Sequence, residues 1–140
     1  MKWIEWKNEY NINIPAIDAQ HRRLVDLFND LSQAQQNNKD TELHSRILGQ
    51  LVNYTRTHFA YEENFMKTIN YPLYEEHKTL HKSLIEQVVT LLEEYKKGDT
   101  NITDKILDIV ALWLVKHILA EDRKIAAYFT PKQESEDKVA

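Results

Sequence analysis

A chain of 140 residues, 42% hydrophobic and 29% charged, suits one soluble domain, long enough to bury roughly 70% of its unfolded surface. Its net charge of −4, with no dense Lys/Arg block, argues against nucleic acid or an anionic membrane surface as partner, and no apolar run approaches the ~18 residues of a membrane span. The absence of cysteine excludes disulfides, thiolate metal sites and cysteine nucleophiles. The charged start, Met1-Lys2-Trp3-Ile4-Glu5-Trp6-Lys7, lacks a signal peptide's apolar stretch, so a cytoplasmic location is expected.

Two glycines and three prolines are too few for the turns of a sheet-rich domain. Residues 1–17 carry Trp3, Trp6 and Tyr10 without a helical period and read as an extended arm packed on the rest. The first helix is expected from about Ala19 to Gln36, with Leu24, Leu27, Phe28 and Leu31 on one stripe and Asp18 as N-cap. The second starts near Asp40, carries Leu43, Ile47, Leu51, Tyr54, Phe65 and Ile69 inward, and stops before Pro72. The third runs from about Leu73 to Lys97 with Leu80, Leu84, Val88, Leu91 and Tyr95 inward, and Gly98 ends it. The fourth begins near Thr103, carries Ile106, Val110, Trp113 and Leu114, and ends before Pro131.

Short joints between long helices make antiparallel neighbours. The expected architecture is therefore an all-α, up-down-up-down four-helix bundle: one domain over residues 1–140, with an arm (1–17), a bundle (18–129) and a charged, frayed tail (130–140).

Five of the six histidines fall on the inward stripes. His21 precedes Leu24 by one turn, His58 continues the line of Ile47, Leu51 and Tyr54, and His117 follows Trp113 by four. His77 and His81 are four apart and face the same way. Only His44 lacks such a pattern. One histidine on an apolar face is usually a hydrogen-bonded core residue. Five on four helices would each cost on the order of 1–3 kcal/mol if left unpaired, and metal coordination removes that cost.

Carboxylates complete the set. Glu62 lies four residues after His58 and is preferred to Glu63, which a fifth step rotates away. On the fourth helix, Glu121 lies four residues after His117 and Asp122 five, and spacing alone leaves the choice open, with helical geometry favouring Glu121. Imidazoles and carboxylates without thiolate suit iron, zinc, copper or nickel. Five imidazoles and two carboxylates are too many for one tetrahedral ion, and two octahedral ions bridged by carboxylates use them naturally.

His21, His58-Phe59-Ala60-Tyr61-Glu62, His77-Lys78-Thr79-Leu80-His81, and Trp113-Leu114-Val115-Lys116-His117-Ile118 ending in Asp122 together resemble the hemerythrin family, in its single-domain bacterial form, over roughly residues 3–129. The resemblance implies a non-haem di-iron centre with an oxo or hydroxo bridge. One iron would be held by His77, His81 and His117 and the other by His21 and His58, with Glu62 and Asp122 bridging. It thus selects Asp122 over Glu121, which a shorter side chain or a local π-type widening of the helix would reconcile with the spacing. By donor count the two-histidine iron has a vacancy, where the family would bind dioxygen reversibly. Leu24, Phe59, Trp113, Leu114 and Ile118 match the family's apolar oxygen pocket, and the same positions also suit an ordinary core.

The resemblance makes the chain an oxygen carrier, storage or delivery protein rather than an enzyme. It would act as a monomer, with a separate oxygen-consuming protein as acceptor. Ferritin-like di-iron enzymes, the main rival, use Glu-x-x-His pairs, whereas Glu62 is followed three residues later by Phe65. An oxygen- or redox-sensing module is the second rival, and it would need a partner to receive the signal. Iron storage, a third, would need exchangeable iron.

Overall fold

The computed structural model describes residues 2–36, 41–98 and 102–129. The expected tail 130–140 and the expected helix start at Asp40 lie outside the described residues. Four long helices occupy the chain: α1 (Pro15–Gln36), α2 (Thr41–Thr68), α3 (Tyr74–Lys96) and α4 (Ile102–Lys116). After Lys116, α4 widens into a π-helical turn over His117–Asp122 and then returns to α-helix for residues 123–129. No strand occurs among the described residues. Each helix packs on its chain neighbours, and α4 closes the bundle against α1. His21 near the start of α1 meets His58 late in α2, and His77 at the start of α3 meets His117 at the end of α4. Helix directions therefore alternate, up-down-up-down.

The helix ends depart from expectation where local chemistry intervenes. α1 begins at Pro15, not near Ala19. Proline is favoured at a first helical position because its missing N–H costs nothing there. Asp18 is therefore inside the first turn rather than at the N-cap. Its carboxylate reaches back to accept the backbone N–H groups of Ile12 at 2.8 Å and Asn13 at 3.1 Å, bracing a turn in which Asn13 takes a left-handed φ of 66°.

α2 ends at Thr68, short of Pro72, because Asn70 adopts φ 55°. Tyr71 N–H then bonds to Met66 O at 2.9 Å and Asn70 N–H to Lys67 O at 3.1 Å, the paired bonds of a Schellman cap. Gly98 closes α3 at φ 105°, a conformation that favours glycine.

The arm is anchored as well as packed. The Asn29 side chain accepts from Ile4 N–H at 2.9 Å and donates to Ile4 O at 2.8 Å, while Ile4, Tyr10, Ile12 and Ile14 are buried. The arm also contains a 3-10 turn at Asn8–Tyr10 that its sequence did not announce.

On α3 the inward stripe is His77, His81, Leu84 and Val88. Leu80 is 39% exposed, contrary to expectation: at 100° per residue it lies about 70° from the centre of that stripe. His44, unplaced by its spacing, is buried with Nε2 2.7 Å from Ala34 O, and it ties α2 to α1.

Two apolar clusters result. The larger includes Leu24, Phe28, Leu51, Phe59, Leu84, Leu107, Leu114 and Ile118; the smaller includes Ile12, Ile14, Ile17, Met66, Tyr71 and Ile125. A fully buried aliphatic or aromatic side chain contributes about 1.5–3 kcal/mol, so both layers stabilise the bundle substantially. Ile17, Met66 and Ile125 lie one turn to one side of His21, Glu62 and Asp122. Leu24, Leu84 and Leu114 lie one turn to the other side of His21, His81 and His117. The polar layer is sealed between them.

Candidate metal centre

All seven residues singled out as ligands meet in that layer, and all are buried: His21, His58, Glu62, His77, His81, His117 and Asp122. Their donor atoms fall into two groups whose members lie within 4.8 Å of one another. One comprises His77, His81, His117, Glu62 and Asp122; the other comprises His21, His58, Glu62 and Asp122. Donors about 2.0–2.2 Å from a common ion are separated by up to about 4.4 Å, so each group is close to the size of one coordination sphere, and side-chain shifts of a few tenths of an ångström would close it on an ion. The two carboxylates belong to both.

The choice between Glu121 and Asp122 is made by the backbone. Through a regular α-helix, residue 121 would face the same way as His117. The π turn adds a residue to the circuit, so Asp122 is fully buried against His21 (Oδ2 to Nε2, 2.8 Å), His77 (Oδ1 to Nε2, 3.0 Å) and His117 (Oδ1 to Nε2, 2.9 Å). Glu121 points out and pairs with Lys124 at 3.4 Å.

Glu62 is the hub. Its Oε1 lies 2.7 Å from His77 Nε2 and 3.0 Å from His81 Nε2, and its Oε2 lies 3.3 Å from His58 Nε2. Glu63, set aside by its spacing from His58, is not idle: its Oε2 is 3.2 Å from Nδ1 of His81 on the next helix.

Several of these contacts cannot be hydrogen bonds for every atom involved. His117 Nε2 lies 2.9 Å from His77 Nε2 and 3.2 Å from His81 Nε2, so three nitrogens converge on one point. For all their short distances, His21 Nε2, Glu62 Oε2 and both Asp122 oxygens are buried with no contact of hydrogen-bond geometry among the described residues. Buried polar atoms are seldom orphaned, and lone pairs aimed at a shared centre are what a cation satisfies. The residues present fit a bound metal pair.

The electrostatics agree. Burial raises the carboxylates' affinity for protons, yet His117, His21, His58 and His77 hold Glu62 well below the ordinary range. Burial and Glu62 push Asp122 up, but His117 and His21 override them and hold it ionised. Burial disfavours charge on His21 and His77, but Asp122 and Glu62 outweigh it and raise each ring to about 9. His117 is raised by Asp122 against burial, whereas His81 is lowered, chiefly by burial. The carboxylates stay charged and demand cations.

Aromatic rings hold the imidazoles in place. Phe59 stacks on His81 at 3.7 Å and an interplanar angle of 1°, and Trp113 on His117 at 4.2 Å and 14°. Beyond them lies a small apolar cavity of about 20 Å³ lined by Leu24, Thr55, Leu84, Val110, Trp113 and Leu114, among others. Leu24, Trp113 and Leu114 were expected at a pocket. Phe59 and Ile118 are buried beside the cluster but do not line this cavity. Leu84 and Val110 had been read only as core. Thr55, one turn before His58, was not singled out by sequence; its hydroxyl donates to Leu51 O at 2.7 Å. No described helix is long and apolar enough to cross a membrane.

Residues 13–129 match the family model described as the hemerythrin HHE cation binding domain. The chain is 32% identical over 126 residues to a bacteriohemerythrin of Stenotrophomonas maltophilia, covering 90% of this chain and 81% of that one. It is 31% identical to a bacteriohemerythrin of Pseudomonas aeruginosa, with coverages of 87% and 78%. With a bacteriohemerythrin of Clostridium acetobutylicum it shares 29% identity, covering 85% of this chain and 95% of that one.

Proposed function

The chain belongs to the hemerythrin family, and from that premise we propose that it binds dioxygen reversibly at a non-haem di-iron centre, as a carrier rather than an enzyme. The observation that carries this reading is the lopsidedness of the cluster: Glu62 and Asp122 are shared between a group with three histidines and a group with two. His77, His81 and His117 would hold one iron and His21 and His58 the other, with both carboxylates bridging. Ferrous iron held by these residues would supply the reversible electron transfer that dioxygen binding needs.

The protein's own residues favour return over onward chemistry. Glu62 and Asp122, held ionised by the surrounding histidines, are not proton donors. Leu24, Phe59, Leu114 and Ile118 present no donor at all and are buried, and a dry surround withholds water and acids. The cavity of about 20 Å³ exceeds the ~10–15 Å³ that one water-sized probe needs. Being apolar, it suits a diatomic gas better than water.

The test is optical. The iron-loaded protein is reduced anaerobically, exposed to air and then purged with argon. A visible charge-transfer band that appears in air and vanishes under argon is the expected result. A protein that purifies colourless with zinc alone, or one that oxidises in air without recovering under argon, overturns the reading.

A further inference from the structure

Two side chains outside the ligand set touch the ligands from behind. His81 turns Nε2 into the cluster and its Nδ1–H outward, where Glu63 Oε2 accepts it at 3.2 Å. His58 turns Nε2 toward Glu62 and donates Nδ1–H to the Gln20 side-chain oxygen at 2.6 Å. Both partners come from sequence neighbours of ligands on an adjacent helix. Glu63 follows Glu62 on α2, so a 100° rotation turns it toward α3; Gln20 precedes His21 on α1 and turns toward α2. The other ring of the two-histidine half, His21, has no partner for Nδ1 among the described residues.

A carboxylate behind a metal-bound imidazole fixes its tautomer and makes the ring more electron-rich, while an amide fixes the tautomer with far less charge donation. On the reading of a two-metal centre given above, we infer that Glu63 and Gln20 are positioning residues that set the two ions apart. Glu63 strengthens the hold on the ion of the three-histidine half, and Gln20 orients His58 while leaving the other ion the poorer in electrons. The ion expected to meet dioxygen thus has the weaker ligand field for a second reason besides its missing histidine.

Cobalt(II) titration of the metal-free full-length chain, followed by visible d–d absorption, tests this without oxygen chemistry. Wild type should take up two cobalt ions with distinguishable bands. Glu63→Gln keeps the acceptor and removes the charge; it should weaken one ion about tenfold, shift that ion's band and leave the other in place. Gln20→Glu should do the reverse, tightening the other ion and shifting the other band. Melting of the metal-free variants, expected to match wild type, shows that the fold is intact; should Glu63→Gln fail to fold, Gln20→Glu decides alone. Two cobalt ions bound identically by wild type and both variants would sink the outer pair and leave the metal centre standing. Uptake of no cobalt by wild type would sink both.

Discussion

In the three-histidine half of the cluster, His77, His81 and His117 crowd one another with ring centroids 4.6–5.0 Å apart. Phe59 and Trp113 are stacked against two of those rings and Glu63 backs one of them. In the two-histidine half, His21 and His58 meet edge-on at 4.8 Å, and among the described residues no aromatic ring stacks face to face on either and the outer partner is the neutral Gln20. The same two carboxylates serve both. One half thus groups five donor residues, two of its rings stacked upon, and the other groups four, with neither ring of its own histidines stacked upon among the described residues. Asymmetry of this kind lets one position stay open for a ligand while the other anchors the pair.

The strongest way to break the comparison is to remove what the halves share. Glu62→Ala should abolish iron retention at both halves, leaving near-zero iron per chain by elemental analysis, whereas His58→Ala should spare the three-histidine half and retain about half the wild-type iron. Equal loss in the two variants would mean that the halves do not fill separately. Next in size, Leu114→Ala enlarges the cavity beside the cluster. It should destabilise the fold by about 2–5 kcal/mol and speed autoxidation of the oxygenated protein about tenfold for each ~1.4 kcal/mol by which water entry is eased. An unchanged autoxidation rate would remove Leu114 from any gating role.

The effect of pH separates protons from metal. In the metal-free fold His21 and His77 are raised from 6.5 to about 9. The stability they contribute is therefore complete below pH ~6.5 and lost as pH rises through ~9. Thermal melting of metal-free protein should fall across that window. Iron-loaded protein, whose ring nitrogens are held by ions instead, should lack that decline, and its metal affinity should rise with pH as proton competition fades. A flat melting curve for the metal-free form would refute the paired rings. The smallest effect is expected at Glu121→Gln. Among the described residues Glu121 pairs with Lys124, at the surface, so stability should change by no more than about 0.5 kcal/mol and iron content not at all. Asp122→Asn, one residue on, should cost iron at both halves.

Much of this was legible in the chain. The 3.6-residue recurrence of apolar side chains and the scarcity of glycine and proline are local properties, and they announce four helices. Histidines in phase with those stripes can only point inward, so a buried imidazole cluster follows from the same periodicity. The end of α2 was less readable: Pro72 marked it, but Asn70, two residues earlier, stops the helix through a left-handed conformation that any of several asparagines could have taken. Leu80 was misplaced because an i, i+3 step lands at the edge of a stripe as easily as inside it.

What the sequence by itself determined is the helical class, the inward-facing histidines and Glu62, since each depends on spacing along a single helix. Spacing left Asp122 and Glu121 open and only the likeness to a family favoured Asp122; the tertiary structure brings Asp122 into the cluster and alone reveals the partnerships of Glu63 with His81 and of Gln20 with His58. The π turn at His117–Asp122 gives up regular i, i+4 hydrogen bonding, and no spacing rule foresees that choice. Its return is a second carboxylate among the histidines of three other helix segments. Contacts that cross between helices depend on how the helices are rotated against one another, and that rotation is set by the packing of the whole bundle.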